Sequence, residues 1–169
     1  MLRSAATRVP TVCIVDPELD DYLGWSSRAT ENGLRLKIVP SAEAALRLAR
    51  TDVVDLWVVS TTLPGLSGFE LCNMLKSRSA AVPVYLVANE YTPAAEREAL
   101  CQRATLFECK PLPATLLDTW LAHWRKKLRR SGTPLDRNSS DAGEEIARQS
   151  TSQFANGPTL PFIRNIKFP

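Results

Sequence analysis

The sequence predicts an α/β domain built on a doubly wound, five-stranded parallel sheet with helices on both faces, followed by a C-terminal tail. Three observations predict it. Short apolar, β-branched runs alternate with helix-like segments five times within about 120 residues, the rhythm of strand–helix units. Most of those runs lack period-2 alternation, as strands buried on both faces do. Helix start signals stand between them, each just ahead of an amphipathic stretch. A length of 169 residues allows one domain with an extension, and 44% hydrophobic residues are enough for one core.

Residues 1–9 read as an N-terminal extension. The first strand is Thr11–Asp16 and the second Leu34–Val39. Ser41 then precedes an alanine- and leucine-rich run and suits a helix N-cap. The third strand is Val53–Ser60, and Ser67-Gly-Phe-Glu70 fits a capping box opening the next helix. Val82–Ala88 is the fourth strand, followed by Thr92-Pro93, an N-cap before a proline at the first helical position. Thr105–Cys109 is the fifth. Pro113 opens the last helix, where Leu116, Leu117, Trp120, Leu121, Trp124 and Leu128 make one apolar stripe. Right-handed crossovers complete a flavodoxin-like, three-layer topology, and no internal repeat is visible. From Ser131 the chain is rich in Ser, Thr, Asn, Gly and Pro. The domain is therefore placed at 10–130 and a linker and tail at 131–169.

Charge and cysteines exclude several classes. Lys+Arg is 21 and Asp+Glu 18, a net charge of +3, which is no polycationic nucleic-acid or membrane binder on bulk charge. No apolar run approaches the roughly 20 residues of a spanning helix. MLRSAATRVP is followed by no secretory h-region, so the cytoplasm is the expected location. Cys13, Cys72, Cys101 and Cys109 form no C-x-x-C pair, and the single histidine, His123, has no cysteine at ligand spacing. No metal or cofactor is expected, and the thiols read as free and mostly packed as small hydrophobes. Glycine-rich phosphate loops, nucleophile elbows and metalloprotease helices are absent, so the expectation is a non-enzyme.

In such folds the working crevice lies beyond the carboxyl ends of the strands. Those ends read Asp16-Pro17-Glu18, Ser60-Thr61-Thr62-Leu63-Pro64-Gly65, Ala88-Asn89 and Lys110-Pro111. Over roughly residues 10–128 the chain resembles a response-regulator receiver domain. The resemblance rests on Cys13-Ile14-Val15-Asp16, Leu63-Pro64-Gly65-Leu66-Ser67-Gly68-Phe69-Glu70-Leu71, Val82-Pro83-Val84-Tyr85-Leu86-Val87 and Phe107-Glu108-Cys109-Lys110-Pro111 in register with the strands. It implies adjacent acids after strand one for Mg²⁺, an aspartyl phosphoacceptor ending strand three, a hydroxyl ending strand four and a lysine ending strand five.

Three positions depart from that set. Pro17 replaces the second acid, which weakens a site needing hard oxygen ligands. Ser60 stands at the phosphoacceptor position; its hydroxyl is not ionised at neutral pH and cannot form an acyl phosphate. Ala88 replaces the switch hydroxyl. Lys110 is retained and is expected to pair with Asp16, and Phe107, at the family's reporter aromatic, is expected to be fixed. The pocket reads either as a site for a small anion near Ser60, Thr61 and Lys110 or as a remnant that only stabilises the fold. The second reading is favoured.

The expected function is a bacterial pseudo-receiver, a phosphorylation-independent protein-interaction or regulatory adaptor. Resemblance places its recognition surface at the last two helices and strand five, with Phe107, Trp120, Trp124 and the basic cluster Arg125, Lys126, Lys127, Arg129 and Arg130. The bland account of that cluster is a solvated helix end whose cations complement the dipole. The bland account of the tryptophans is core packing. The tail segment Leu160–Phe168, with Phe162, Ile163, Ile166 and Phe168, reads as a second docking element that orders on a partner surface or sheet edge, or as a segment folding back on its own domain. The expected partners are proteins, within a larger assembly or as a homodimer, with no membrane. Nucleic acid held by the basic helix end is the less favoured partner, and a switch responding to a non-phosphoryl ligand is the other alternative.

Overall fold

A computed structural model of the chain describes residues 8–131, Ser131 by its backbone only. Readings placed on residues 1–7 and 132–169, including the docking segment with Phe162, Ile163, Ile166 and Phe168, lie outside the described residues. The element order is β1 (Thr11–Val15), a single 3₁₀ turn (Asp20–Tyr22), α1 (Leu23–Glu31), β2 (Arg35–Val39), α2 (Ala42–Thr51), β3 (Leu56–Ser60), α3 (Gly68–Arg78), β4 (Val84–Ala88), α4 (Pro93–Cys101), β5 (Leu106–Cys109) and α5 (Thr115–Ser131). The chain divides within α5 into two units, Met1–Arg125 and Lys126–Pro169; of the second, only the helical residues 126–131 are described.

The five strands form one parallel sheet in the order β2-β1-β3-β4-β5. Cys13 lies opposite Lys37 and Trp57, Trp57 opposite Val84, and Leu86 opposite Phe107. β1 and β3 are buried at every position, which is why their sequences run apolar without alternation. β2 lies at an edge and shows it: Ile38 is 37% exposed.

Alternate residues of each central strand feed two cores. Cys13, Val15, Trp57, Val59 and Leu86 pack with Leu71, Cys72 and Leu75 of α3. Val12, Ile14, Leu56 and Val58 pack with Tyr22, Trp25, Leu117, Trp120 and Leu121. The three expected caps form: Ser41 accepts from the Ala44 amide (3.3 Å), Ser67 and Glu70 make the reciprocal capping box, and Thr92 accepts from the Ala95 amide (3.1 Å).

Several element boundaries differ from expectation by one to three residues. β3 begins at Leu56 rather than Val53, which is 67% exposed. Burial decides this, because the Asp52 amide still closes the last turn of α2 onto the Leu48 carbonyl (2.9 Å) and Val53 turns outward. α5 is continuous from Thr115, although a first turn at Pro113 accepts from the Leu116 amide (3.0 Å). At its far end the stripe fades, with Leu128 41% exposed. The thiols also divide: Cys13 and Cys72 are core residues, Cys109 is half-buried and Cys101 is exposed.

Candidate functional site

The hydrogen-bond ladder runs one residue past the strands and gathers their ends. The Asp16 amide donates to the Val39 carbonyl (3.0 Å), Thr61 to Val87 (2.8 Å) and Lys110 to Ala88 (2.9 Å). Asp16, Ser60, Ala88 and Lys110 therefore meet at one edge, as the strand-end reading requires. Pro17 is exposed beside them, and Asp16, Ser60 and Ala88 are buried at 1, 3 and 5% exposure.

Asp16 is the hub. Its Oδ1 accepts the Glu18 amide (2.9 Å), and its Oδ2 accepts the Tyr22 hydroxyl (2.8 Å) and lies 2.7 Å from the Lys110 Nζ. The expected Lys110–Asp16 ion pair is thus present. Lys110 also reaches Asp21 (3.2 Å) and Glu18 (3.4 Å), and its side chain is only 6% exposed. The ammonium lies 5.9 Å from the Tyr22 ring centroid, within cation–π range. Tyr22 in turn meets the Trp25 ring edge-on at 6.3 Å, and the Trp25 indole donates to the Leu112 carbonyl (3.4 Å). Burial alone pulls the Lys110 pKa down; hydrogen bonds and charges from Asp16 and Asp21 more than offset it, so the ammonium titrates above its ordinary value. Burial, reinforced by its bond to Asp16, holds the Tyr22 phenol protonated far beyond its usual range.

Ser60 faces a different partner. Its hydroxyl donates to the Thr62 carbonyl (3.2 Å) and receives the Thr62 amide (3.4 Å), a closed local turn. No base holds this hydroxyl among its hydrogen bonds, so it is not an activated nucleophile. Gly68 fixes the loop behind it: the Gly68 amide donates to the Thr61 carbonyl (3.1 Å), and a Cβ there would lie 1.9 Å from the Ser60 carbonyl oxygen. Only glycine opens α3 this close to β3.

The sequence model for the response regulator receiver domain matches residues 11–121. The chain belongs to the response regulator receiver domain family. Among characterised relatives, the transcriptional regulatory protein AfsQ1 of Streptomyces coelicolor is 29% identical over 152 residues, 90% of this chain and 66% of that protein. The heme response regulator HssR of Staphylococcus aureus is 35% identical over 88 residues, 50% of this chain and 38% of that protein. The chain thus spans just under two thirds of the first and well under half of the second. The fold is that of solved receivers. A CheY-like receiver from Methanospirillum hungatei superposes with a TM-score of 0.65 at 16% identity, covering 74% of this chain and 100% of its own. CheY4 of Vibrio cholerae superposes at 0.60 with 20% identity, covering 69% and 98%.

The Mg²⁺ that a receiver implies does not fit this receiver's donor set. Such an ion wants several free hard oxygens in octahedral order. Both Asp16 oxygens are taken by protein donors, Pro17 has no carboxylate, and the Ser60 hydroxyl is neutral and tied to Thr62.

The aromatic residues expected at a recognition surface stand deeper than a surface needs. Phe107 is 7% exposed, in the α3-side core, with the Tyr91 ring at 6.5 Å. Trp120 is 4% exposed, in the opposite core. Trp124 is half-buried, 6.3 Å from the Trp120 ring, and its indole donates to Asp55 Oδ1 (3.2 Å). Arg125 is exposed, as are Lys126, Lys127, Arg129 and Arg130.

Sequence reading missed Tyr22, Asp21 and Asp55. Tyr22 lies six residues past Asp16 in an irregular turn, where no periodicity reports a side chain's direction. Asp55 gathers the Thr11 amide (2.9 Å), the Trp124 indole and the Arg8 guanidinium at the opposite end of the sheet. An isolated acid flanked by apolar residues was its one available signal.

Proposed function

We propose that this receiver works as a pseudo-receiver, a cytoplasmic, phosphorylation-independent protein-interaction module of a bacterial regulatory system. The observation that carries this reading is the closed Asp16–Lys110–Tyr22 cluster. The lysine that would meet a phosphoryl group is already neutralised by three carboxylates, and Ser60 offers no carboxylate to phosphorylate. With Ala88 in place of a hydroxyl, no phosphoryl-sensing bond is available to move Phe107. The chemistry favours one fixed conformation, and its output is then what its surface binds.

The receiver domain, residues 10–130, carries recognition through the α4–β5–α5 side, and residues 160–168 add a second contact. Two contacts on one chain raise affinity through effective concentration. The relatives AfsQ1 and HssR are named as regulators, which supports a regulatory setting for the partner.

The test is capture of partners from native lysate with the full chain and with residues 1–130, each with and without acetyl phosphate and Mg²⁺. Acetyl phosphate is expected to change no captured band. Bands held only by the full chain place docking within residues 131–169, where residues 160–168 are the proposed element. A partner gained or lost on phosphodonor treatment overturns the reading.

A further inference from the structure

The groove between α2 and α3 belongs to neither the strand-end pocket nor the α4–β5–α5 side. It is a trough of about 320 Å³ walled by Leu46 and Arg50 of α2 and by Met74 and Arg78 of α3. A second hollow of about 220 Å³ shares Arg78 and continues over Val53 and Trp57. On each helix the apolar residue and the arginine are four apart, so they stand one turn from each other on one face. One end of the trough is thus apolar and the other doubly cationic.

The trough brings together exposed apolar surface and unpaired cations, each of which also occurs singly elsewhere among the described residues, as at Leu23 and Leu100 and at Arg97 and Arg103. Met74 is 44% exposed and Val53 67%, beside the half-buried Leu46. Arg8, Arg28 and Arg47 each pair with a carboxylate. Arg50 and Arg78 meet no carboxylate among the described residues, and Arg78 donates only to the Ala49 carbonyl (3.4 Å). Asp52, which borders the second hollow, is held by Lys37. Cations at helix ends complement the dipole, but that role requires no apolar trough between them.

We propose that this trough is a docking site for an acidic amphipathic helix of a partner protein. An apolar anchor seats between Leu46 and Met74, and carboxylates one turn along the ligand helix meet Arg50 and Arg78 bidentately. Met74 adapts its unbranched side chain to the anchor. A peptide is favoured over a nucleic-acid strand because, among the described residues, no aromatic ring lines the α2–α3 trough, and Trp57 of the second hollow is only 4% exposed, too deep for bases to stack on. The proposal needs the chain to bind a partner but does not need the strand-end pocket to be inert, so phosphodonor experiments leave it standing or falling separately.

The probe is a synthetic peptide of about 15 residues, four helical turns, with Leu and Phe at i, i+3, i+4 and i+7 and Glu elsewhere. It is titrated into the full ¹⁵N-labelled chain. Saturable shifts are expected at amides of α2, α3 and Val53. Arg50→Glu with Arg78→Glu should weaken binding at least about tenfold, and the same peptide with Lys for Glu should restore binding to that variant. Met74→Asp should weaken binding with the arginines intact. The proposal fails if millimolar peptide moves none of these amides, if the shifts lie elsewhere, or if charge reversal changes nothing. It fails equally if an oligothymidylate shifts these amides and the peptide does not.

Discussion

Asp16 is 1% exposed, and a carboxylate so deep is tolerable only because Lys110, Tyr22 and the Glu18 amide face it. Removing one side of a buried pair leaves the other uncompensated, at a cost of about 3–5 kcal/mol, whereas removing both can be near neutral. Lys110→Met is therefore expected to lower stability by about 3–5 kcal/mol, and adding Asp16→Asn to recover most of it, read by urea unfolding. Tyr22→Phe keeps the ring under the ammonium and removes only the hydroxyl's bond to a charged acceptor, so about 1–2 kcal/mol is expected by the same assay. At this scale the sequence was partly legible. Asp16, Ser60, Ala88 and Lys110 are named by their places at strand ends, and the Lys110–Asp16 pair follows from the missing acids. Tyr22 was not legible, because a short irregular turn and not a repeating pattern aims it.

At the scale of elements, α3 shows how one turn positions the pocket loop. Ser67 and Glu70 satisfy each other's backbone amides, and Gly68 lets the helix start against the Ser60 carbonyl. Ser67→Ala is expected to cost about 1 kcal/mol. Gly68→Ala should cost more, because the atoms its Cβ would strike belong to the Ser60–Thr61 backbone and not to a movable side chain tip. Thermal melts of the two variants test that order. The caps at Ser41, Ser67 and Thr92 were readable because capping chemistry is local. The start of β3 was not: Val53 carries strand propensity, but the Asp52 amide stays with α2 and burial begins only at Val54.

For the molecule as a whole, topology was readable because alternation of strand and helix leaves few right-handed solutions, and residues 11–121 match the receiver family accordingly. Burial of side chains from several elements also sets an alkaline limit. Burial pushes the Cys13 thiol up to about 12, opposed by Lys37, and Cys72 up to about 11. Tyr22 and Lys110 are raised as well. A raised group binds its proton more tightly folded than unfolded, so its stabilisation is whole below the unfolded pKa and is lost as pH rises through the folded one. Lys76, held down by burial, works in the opposite sense. Stability should therefore hold up to about pH 8.5, the ordinary thiol value, and fall from there toward pH 12, with Cys13→Ala flattening the first part of the fall. Urea midpoints across that range check it.

The central claim is that the strand-end pocket of this receiver takes no phosphoryl group. Its most direct test is the ¹H–¹⁵N spectrum of the full chain with beryllofluoride and Mg²⁺, followed at Asp16, Ser60, Thr61, Ala88 and Lys110. Unchanged shifts are expected at all five. Saturable shifts there, spreading to Phe107 and α4, would contradict it and make the domain a working switch.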